Sequence, residues 1–209
     1  MKSSLIVLSL VLVLVLVRAD HHKDHEPKCE GRITEENLPK VQGNWVAVWG
    51  VSDGPKGQAL IPKVTSSHLK LVLLDNKTLN YQESNFYKGE TWNCSFFVMN
   101  ATVVDGSDHH NLTLKVHEGR TEYEGKLEPF NDNVTLSFYQ RCDHCLAMTF
   151  NSDEWNNFFI IYWREGHHTD VEEIKKEHAE FHKQAECLGF PTEPAFHYNG
   201  TADFCHKEN

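Results

Sequence analysis

One pattern constrains this chain more than any other: nine short runs, many of them alternating apolar and polar side chains, at 45–51, 68–74, 79–87, 92–104, 111–117, 123–130, 134–139, 146–150 and 158–163. They are rich in β-branched and aromatic residues and are separated by polar punctuation. A period of two over four to eight residues is the signature of a half-buried strand. No helical pattern interrupts the series, so successive strands pair as an antiparallel meander. An open meander leaves two unpaired edges, and rolling it into a barrel removes both. The sequence therefore predicts an all-β fold, an eight- or nine-stranded antiparallel up-and-down calyx barrel. A barrel of that size has room for one small ligand.

A single amphipathic helix is expected at about 169–188, after the strands. Thr169 and Glu172 read as a capping box, and Asp170 and Glu172 suit the positive end of the helix dipole. Val171, Ile174, His178, Phe181, Ala185 and Leu188 recur at three- and four-residue steps, and Gly189 and Pro191 end the helix. It should lie on the outside of the barrel and bury Ile174, Phe181 and Leu188.

The first residues combine Lys2, an apolar run from Leu5 to Val17 and the small residue Ala19 before a polar stretch. That is the layout of a secretory leader, with cleavage expected after Ala19. The run is shorter than the roughly 20 residues that a membrane-crossing helix needs, so no stable membrane insertion is expected. An N-terminal arm at 20–36 and the main domain at 37–209 would follow, with a tethered tail at 189–209. The formal charge of −10 argues against a nucleic-acid partner, which requires a cationic footprint. Six Asn-x-Ser/Thr sequons, at Asn76, Asn93, Asn100, Asn111, Asn133 and Asn199, suit a secreted glycoprotein. Six cysteines, Cys29, Cys94, Cys142, Cys145, Cys187 and Cys205, suit three disulfides in an extracellular compartment. The count alone leaves roughly 15 pairings open.

The segment Asn37-Leu38-Pro39-Lys40-Val41-Gln42, then Gly43-Asn44-Trp45 at the start of the first strand, joins the leader, the meander and the late helix in an order that resembles the lipocalin family. The tail sequences 182–191 and 198–205 are similar to the α1-acid glycoprotein branch, including its fish toxin-binding and tributyltin-binding members. The resemblance implies that Trp45, behind Gly43, plugs the closed end of the barrel and that Arg164 packs on it. It also implies the pairs Cys29–Cys187 and Cys94–Cys205. The function it implies is a secreted, monomeric carrier of small hydrophobic or amphipathic ligands, toxins or organotins such as saxitoxin, tetrodotoxin and tributyltin among them. The Thr-Asp-Tyr element of typical lipocalins is absent, which places the chain among the outlying members.

For the ligand itself, alternation nominates Trp49, Tyr81, Phe97, Phe138 and Tyr162 as aromatic walls. Glu83, or Glu90, would be a carboxylate near the rim, and Trp45 would lie deep. Aromatic faces attract cations by about 0.5–2 kcal/mol. An inward-facing Lys70 would instead favour acidic ligands. Cys142-Asp143-His144-Cys145 reads as a disulfide pinching a turn in preference to a redox or metal motif. Histidines cluster at 21, 22 and 25, at 109 and 110, at 167 and 168, and at 178 and 182. A chain beginning Asp20-His21-His22 could take Cu²⁺ or Ni²⁺ in a square plane, but no metal-dependent function and no cofactor is indicated. No nucleophile elbow, phosphate loop or metalloprotease helix is present, so the chain reads as a non-enzyme. Two alternatives remain: an acute-phase or immune-modulating glycoprotein acting through its glycans, and a lipocalin isomerase, which would need a free thiol.

Overall fold

A computed structural model describes residue 29 and residues 31–89, 93–104, 112–123, 125–203 and 205. The leader at 1–19, the cleavage point, the His21, His22 and His25 cluster, Glu90, His109, His110 and Asn111 lie outside the described residues. The described residues form ten strands: β1 (Gly43–Ser52), β2 (Val64–Leu73), β3 (Thr78–Tyr87), β4 (Asn93–Val103), β5 (Leu114–Tyr123), β6 (Lys126–Pro129), β7 (Val134–Cys142), β8 (Cys145–Ser152), β9 (Asn156–Arg164) and β10 (Ala195–His197). The first nine correspond one to one with the nine alternating runs. Their order is β10-β1-β2-β3-β4-β5-β7-β8-β9, and pairing of β1 with β9 closes the ring. Eight strands make an antiparallel barrel, while β6 folds back on β5 and β10 adds to β1.

Two seams of this barrel are thin, and each is filled by a segment from outside the meander. β2 pairs with β1 only over Gly43–Val46, and β10 takes the vacated side of β1 at Trp49, Gly50 and Val51. β5 pairs with β7 only at Leu114 and Lys115. There residues 31–33 run alongside: Ile33 N donates to Phe138 O at 3.0 Å, Gln140 N to Gly31 O at 2.7 Å and Leu112 N to Ile33 O at 3.3 Å. The Arg32 guanidinium adds bonds to the Thr113 and Ser137 hydroxyls at 2.8 and 2.9 Å. Backbone groups that would otherwise be buried unpaired are thereby satisfied.

Two α-helices accompany the barrel, α1 (Pro55–Leu60) and α2 (Val171–Cys187). α2 lies outside the barrel and buries Ile174 and Phe181, each worth about 1.5–3 kcal/mol; Leu188 is half-buried. Its cap differs from the expected box. Asp170 Oδ1 accepts from Glu173 N at 3.0 Å, whereas Thr169 Oγ1 donates to Gly166 O in the preceding turn. Both residues satisfy the N-cap preference, and the short 3₁₀ turn His167–Thr169 moves the helix start one position along.

The disulfides are Cys29–Cys187, Cys94–Cys205 and Cys142–Cys145, the first two as the resemblance implied. All six cysteines are therefore consumed, and the isomerase alternative is left without its thiol.

At one end the barrel is closed. Trp45 is 1% exposed, and its indole Nε1 donates to Val41 O at 2.8 Å. The Arg164 guanidinium carbon sits 4.2 Å from the Trp45 ring centroid. The same group donates to the carbonyls of Gln42, Lys40 and Asp143 at 3.0, 3.0 and 3.2 Å. Gly43, at φ +128°, makes this approach feasible, since a Cβ there would lie 2.6 Å from Arg164 Nη1.

Candidate ligand-binding cup

Cross-strand register decides which side chains look inward. In an antiparallel pair, directly opposed residues share a face. Trp45 opposes Leu69, Tyr81 opposes Leu71 and Met99, Glu83 opposes Leu69 and Phe97, Phe138 opposes Met148, and Tyr162 opposes Ala47 and Leu146. The decisive contact joins β3 to β9, which are separated in the sheet by β1 and β2. Tyr162 interacts with Tyr81 and feels the charge of Glu83, which it can do only across the interior.

Glu83 is the polar centre of this interior. Its Oε1 accepts from Ser67 Oγ at 3.0 Å and its Oε2 from Tyr81 Oη at 2.8 Å. Burial raises its pKa, and hydrogen bonds from Tyr81, Ser67 and Asn85 work in the opposite direction. Burial first, and then the negative charge of Glu83, hold Tyr81 and Tyr162 well above the ordinary tyrosine range, so both stay neutral hydroxyls. The Tyr162 hydroxyl is buried with no well-formed hydrogen bond of its own. Nearer the open end, burial pushes Tyr87 up to about 12, and its hydroxyl accepts from Ser95 Oγ at 3.3 Å.

The interior divides along the barrel axis. Towards the closed end, Trp45, Leu69, Leu71, Leu79, Met99 and Phe138 are each at most 1% exposed, so this half is a packed floor. Towards the other end, Glu83, Phe97, Phe150, Phe158 and Ile160 keep part of their surface exposed although their strands face inward. Phe97 meets Phe130 edge-on at 6.5 Å, and Phe150 meets Phe158 edge-on at 6.3 Å. α1 lies against this end. A Cβ on Gly57 would fall 2.0 Å from Ser52 Oγ and 2.9 Å from the Phe158 ring, so only glycine lets the helix approach this closely.

Five of the six nominated ligand residues thus share the inner face: Tyr81, Glu83, Phe97, Phe138 and Tyr162. Trp49 does not. The register shifts between Ala47 and Trp49, where Ala47 opposes Tyr162 and Trp49 opposes Ile161. One extra residue turns the side chain to the other face. Trp49 consequently lies beneath α2, 6.2 Å from Phe181 and 5.5 Å from His182. Glu83 is enclosed in the barrel and is not a rim residue, because its partners Ser67 and Tyr81 also point inward. Lys70 is exposed, so it offers no inward positive charge for an acidic ligand. Simple alternation of 158–163 would have found Phe158 and Ile160 beside Tyr162. Ser67 fell one residue outside its run.

The remaining nominated sites are surface features. Cys142 and Cys145 are joined to each other, which removes both thiolates from the candidate metal group they form with His144. His144 stacks instead on His167 at 4.8 Å. Asn76, Asn133 and Asn199 are exposed in connections between elements, whereas Asn100 accepts from Asn80 and donates to Glu118 on β4. Asn93 precedes the disulfide-bonded Cys94, and the hydroxyl of its sequon serine, Ser95, is engaged with Tyr87.

No family model matches the sequence. The chain is 32% identical over 204 residues, 98% of its length, to saxitoxin and tetrodotoxin-binding proteins 1 and 2 of Takifugu pardalis. Among solved structures it is similar to the subject of "The Siderocalin Ex-FABP functions through dual ligand specificities", with a TM-score of 0.54 at 12% identity. That match covers 78% of this chain and 96% of the other. The chain has the lipocalin calyx fold. It spans about half the length of the curated relatives it matches, 50% of each. Within this calyx, the closed end, the eight-stranded ring and the external helix make the scaffold, and the aromatic cup around Glu83 is the candidate site.

Proposed function

We propose that this protein is a secreted lipocalin glycoprotein that sequesters small amphipathic molecules in its barrel, and that the favoured guests carry a positive charge. The observation that carries the reading is Glu83, a hydrogen-bonded carboxylate enclosed among Tyr81, Tyr162 and Phe97 with part of its surface still open. A carboxylate in low dielectric lacks the stabilisation of water, and an arriving cation restores it. The aromatic rings add cation–π attraction, and the neutral tyrosine hydroxyls offer donors and acceptors that fix orientation. The net charge of −10 draws cations from a distance. The Takifugu relatives, named as saxitoxin and tetrodotoxin-binding proteins, favour the same class of ligand. The leader at 1–19 and the sequons support export and glycosylation.

The test is a titration of the purified glycoprotein with saxitoxin, and separately with tributyltin, followed by intrinsic tryptophan fluorescence. Saturable 1:1 binding should survive enzymatic removal of glycans and weaken at least tenfold for the toxin in Glu83→Gln. Loss of binding on deglycosylation would transfer the activity to the glycans. Unchanged affinity in a Glu83→Gln/Phe97→Ala double variant would remove the cup from the account.

A further inference from the structure

A second hollow lies outside the barrel. Between α2 and the outer faces of β8 and β9 is a cleft of about 220 Å³, with Ile161 and Phe181 among its apolar walls and Trp163, His144, Gln184, Glu173 and Glu177 as its polar groups. It is separate from the cup, because Ile161 and Trp163 alternate with the inward-facing Ile160 and Tyr162 on β9. Taking roughly 30 Å³ for a water molecule in the liquid, it has room for about seven, the bulk of one small organic molecule.

The cleft holds polar groups that the protein leaves unsatisfied. Gln184 is 8% exposed, and both ends of its side-chain amide lack a hydrogen-bond partner. Trp163 is 2% exposed, and its indole Nε1 is equally unpartnered. Buried amides and indoles nearly always find partners, so a pair of orphans lining one cleft marks a place where something else supplies the bonds. Glu173, Glu177, Phe181 and Gln184 follow one another at steps of four, four and three residues and so form one stripe of α2. The two carboxylates are exposed, and among the described residues neither enters an ion pair.

We propose that this cleft is a second binding site, for a small aromatic organic cation that also carries a hydroxyl or carbonyl oxygen. The chemistry follows from the groups present. The indole N–H of Trp163 and the amide N–H of Gln184 need an acceptor, which the oxygen provides. The amide oxygen of Gln184 needs a donor. Glu173 and Glu177 at the mouth select for positive charge, and Ile161 and Phe181 favour a flat apolar body. The site is independent of the barrel interior and of Glu83.

The test uses the full-length ¹⁵N-labelled protein and three probes of the same ring and hydroxyl: tyramine (cation), tyrosol (neutral) and 4-hydroxyphenylacetate (anion). Tyramine should move the Trp163 indole N–H and the Gln184 amide signals saturably. Tyrosol should bind at least fivefold more weakly, and the anion should give no saturable shift. A Glu173→Gln/Glu177→Gln variant, altered only at exposed positions, should lose at least fivefold in tyramine affinity with an unchanged melting temperature. Gln184→Leu should lose the response at Trp163, whereas Glu83→Gln should retain all of it. The proposal is overturned if tyramine shifts neither signal saturably, if tyrosol binds as tightly as tyramine, if the double variant binds normally, or if Glu83→Gln abolishes binding.

Discussion

The two halves of the barrel interior are built from similar residues to opposite ends. Around Trp45, side chains from every direction meet at full density, and the one large charge, Arg164, spends its donors on three carbonyls while stacking on the ring. Around Glu83, Phe97, Phe150 and Phe158 keep part of their surface exposed, and a carboxylate is held there at the expense of its solvation. Close packing contributes stability, and a polar-centred half whose rings stay partly exposed forgoes part of it; under the proposed function that half receives the guest. The difference teaches that a barrel divides its labour along its axis, and that burial alone does not distinguish wall from floor.

The sharpest way to break this comparison is to delete one ring from each half. Phe138→Ala in the floor should cost about 3–5 kcal/mol in urea unfolding, because a fully enclosed cavity is created. Phe97→Ala should cost about 1 kcal/mol or less and act mainly on ligand affinity. Equal costs would mean that both halves are simply core.

Disulfides sharpen the contrast at the two ends. Replacing Cys94 and Cys205, which span 111 residues of sequence, with alanines should remove about 4–5 kcal/mol. The same replacement of Cys142 and Cys145, three residues apart, should remove about 2 kcal/mol.

Glu83→Gln probes the upper half directly. The folded protein raises the pKa of Glu83, so its contribution favours the native state below the unfolded pKa and is lost as pH rises through the folded one. The variant should therefore match the parent in mild acid and be more stable than it at higher pH, while binding cations more weakly. Paired melting curves across pH 4–8 check this, and a parent more stable than the variant at pH 8 would contradict it.

The smallest effect concerns the barrel exterior. Burial lowers the pKa of His68 and of His168, with the nearby Glu165 acting against it in each case. A lowered histidine pKa contributes stability above the unfolded value of about 6.5, which is lost as pH falls. His68→Gln should flatten the acid side of the stability profile slightly.

Much of this architecture is legible in the sequence because strand formation and side-chain alternation are local properties. All nine runs became strands, and Ile174 and Phe181 lie beneath α2 as their spacing requires. What escaped depends on partners far away in sequence or on single-residue irregularities. Trp49 was assigned to the wrong face because one shifted register at Ala47/Trp49 reverses a period-two pattern without any mark in composition. α1 has six residues and β10 has three, both too short to show periodicity. The cleft under α2 needs Trp163 and Gln184 brought together by the fold, and neither residue type signals that on its own.

The two filled seams carry a consequence for how the molecule is made. The seam between β1 and β2 is not completed until residues 195–197 lie beside β1, and these follow every other described strand in the sequence. The bond from Cys29 to Cys187 likewise ties a residue ahead of the first strand to the last residue of α2. Closure of this vessel therefore waits on segments that follow all eight staves in the sequence.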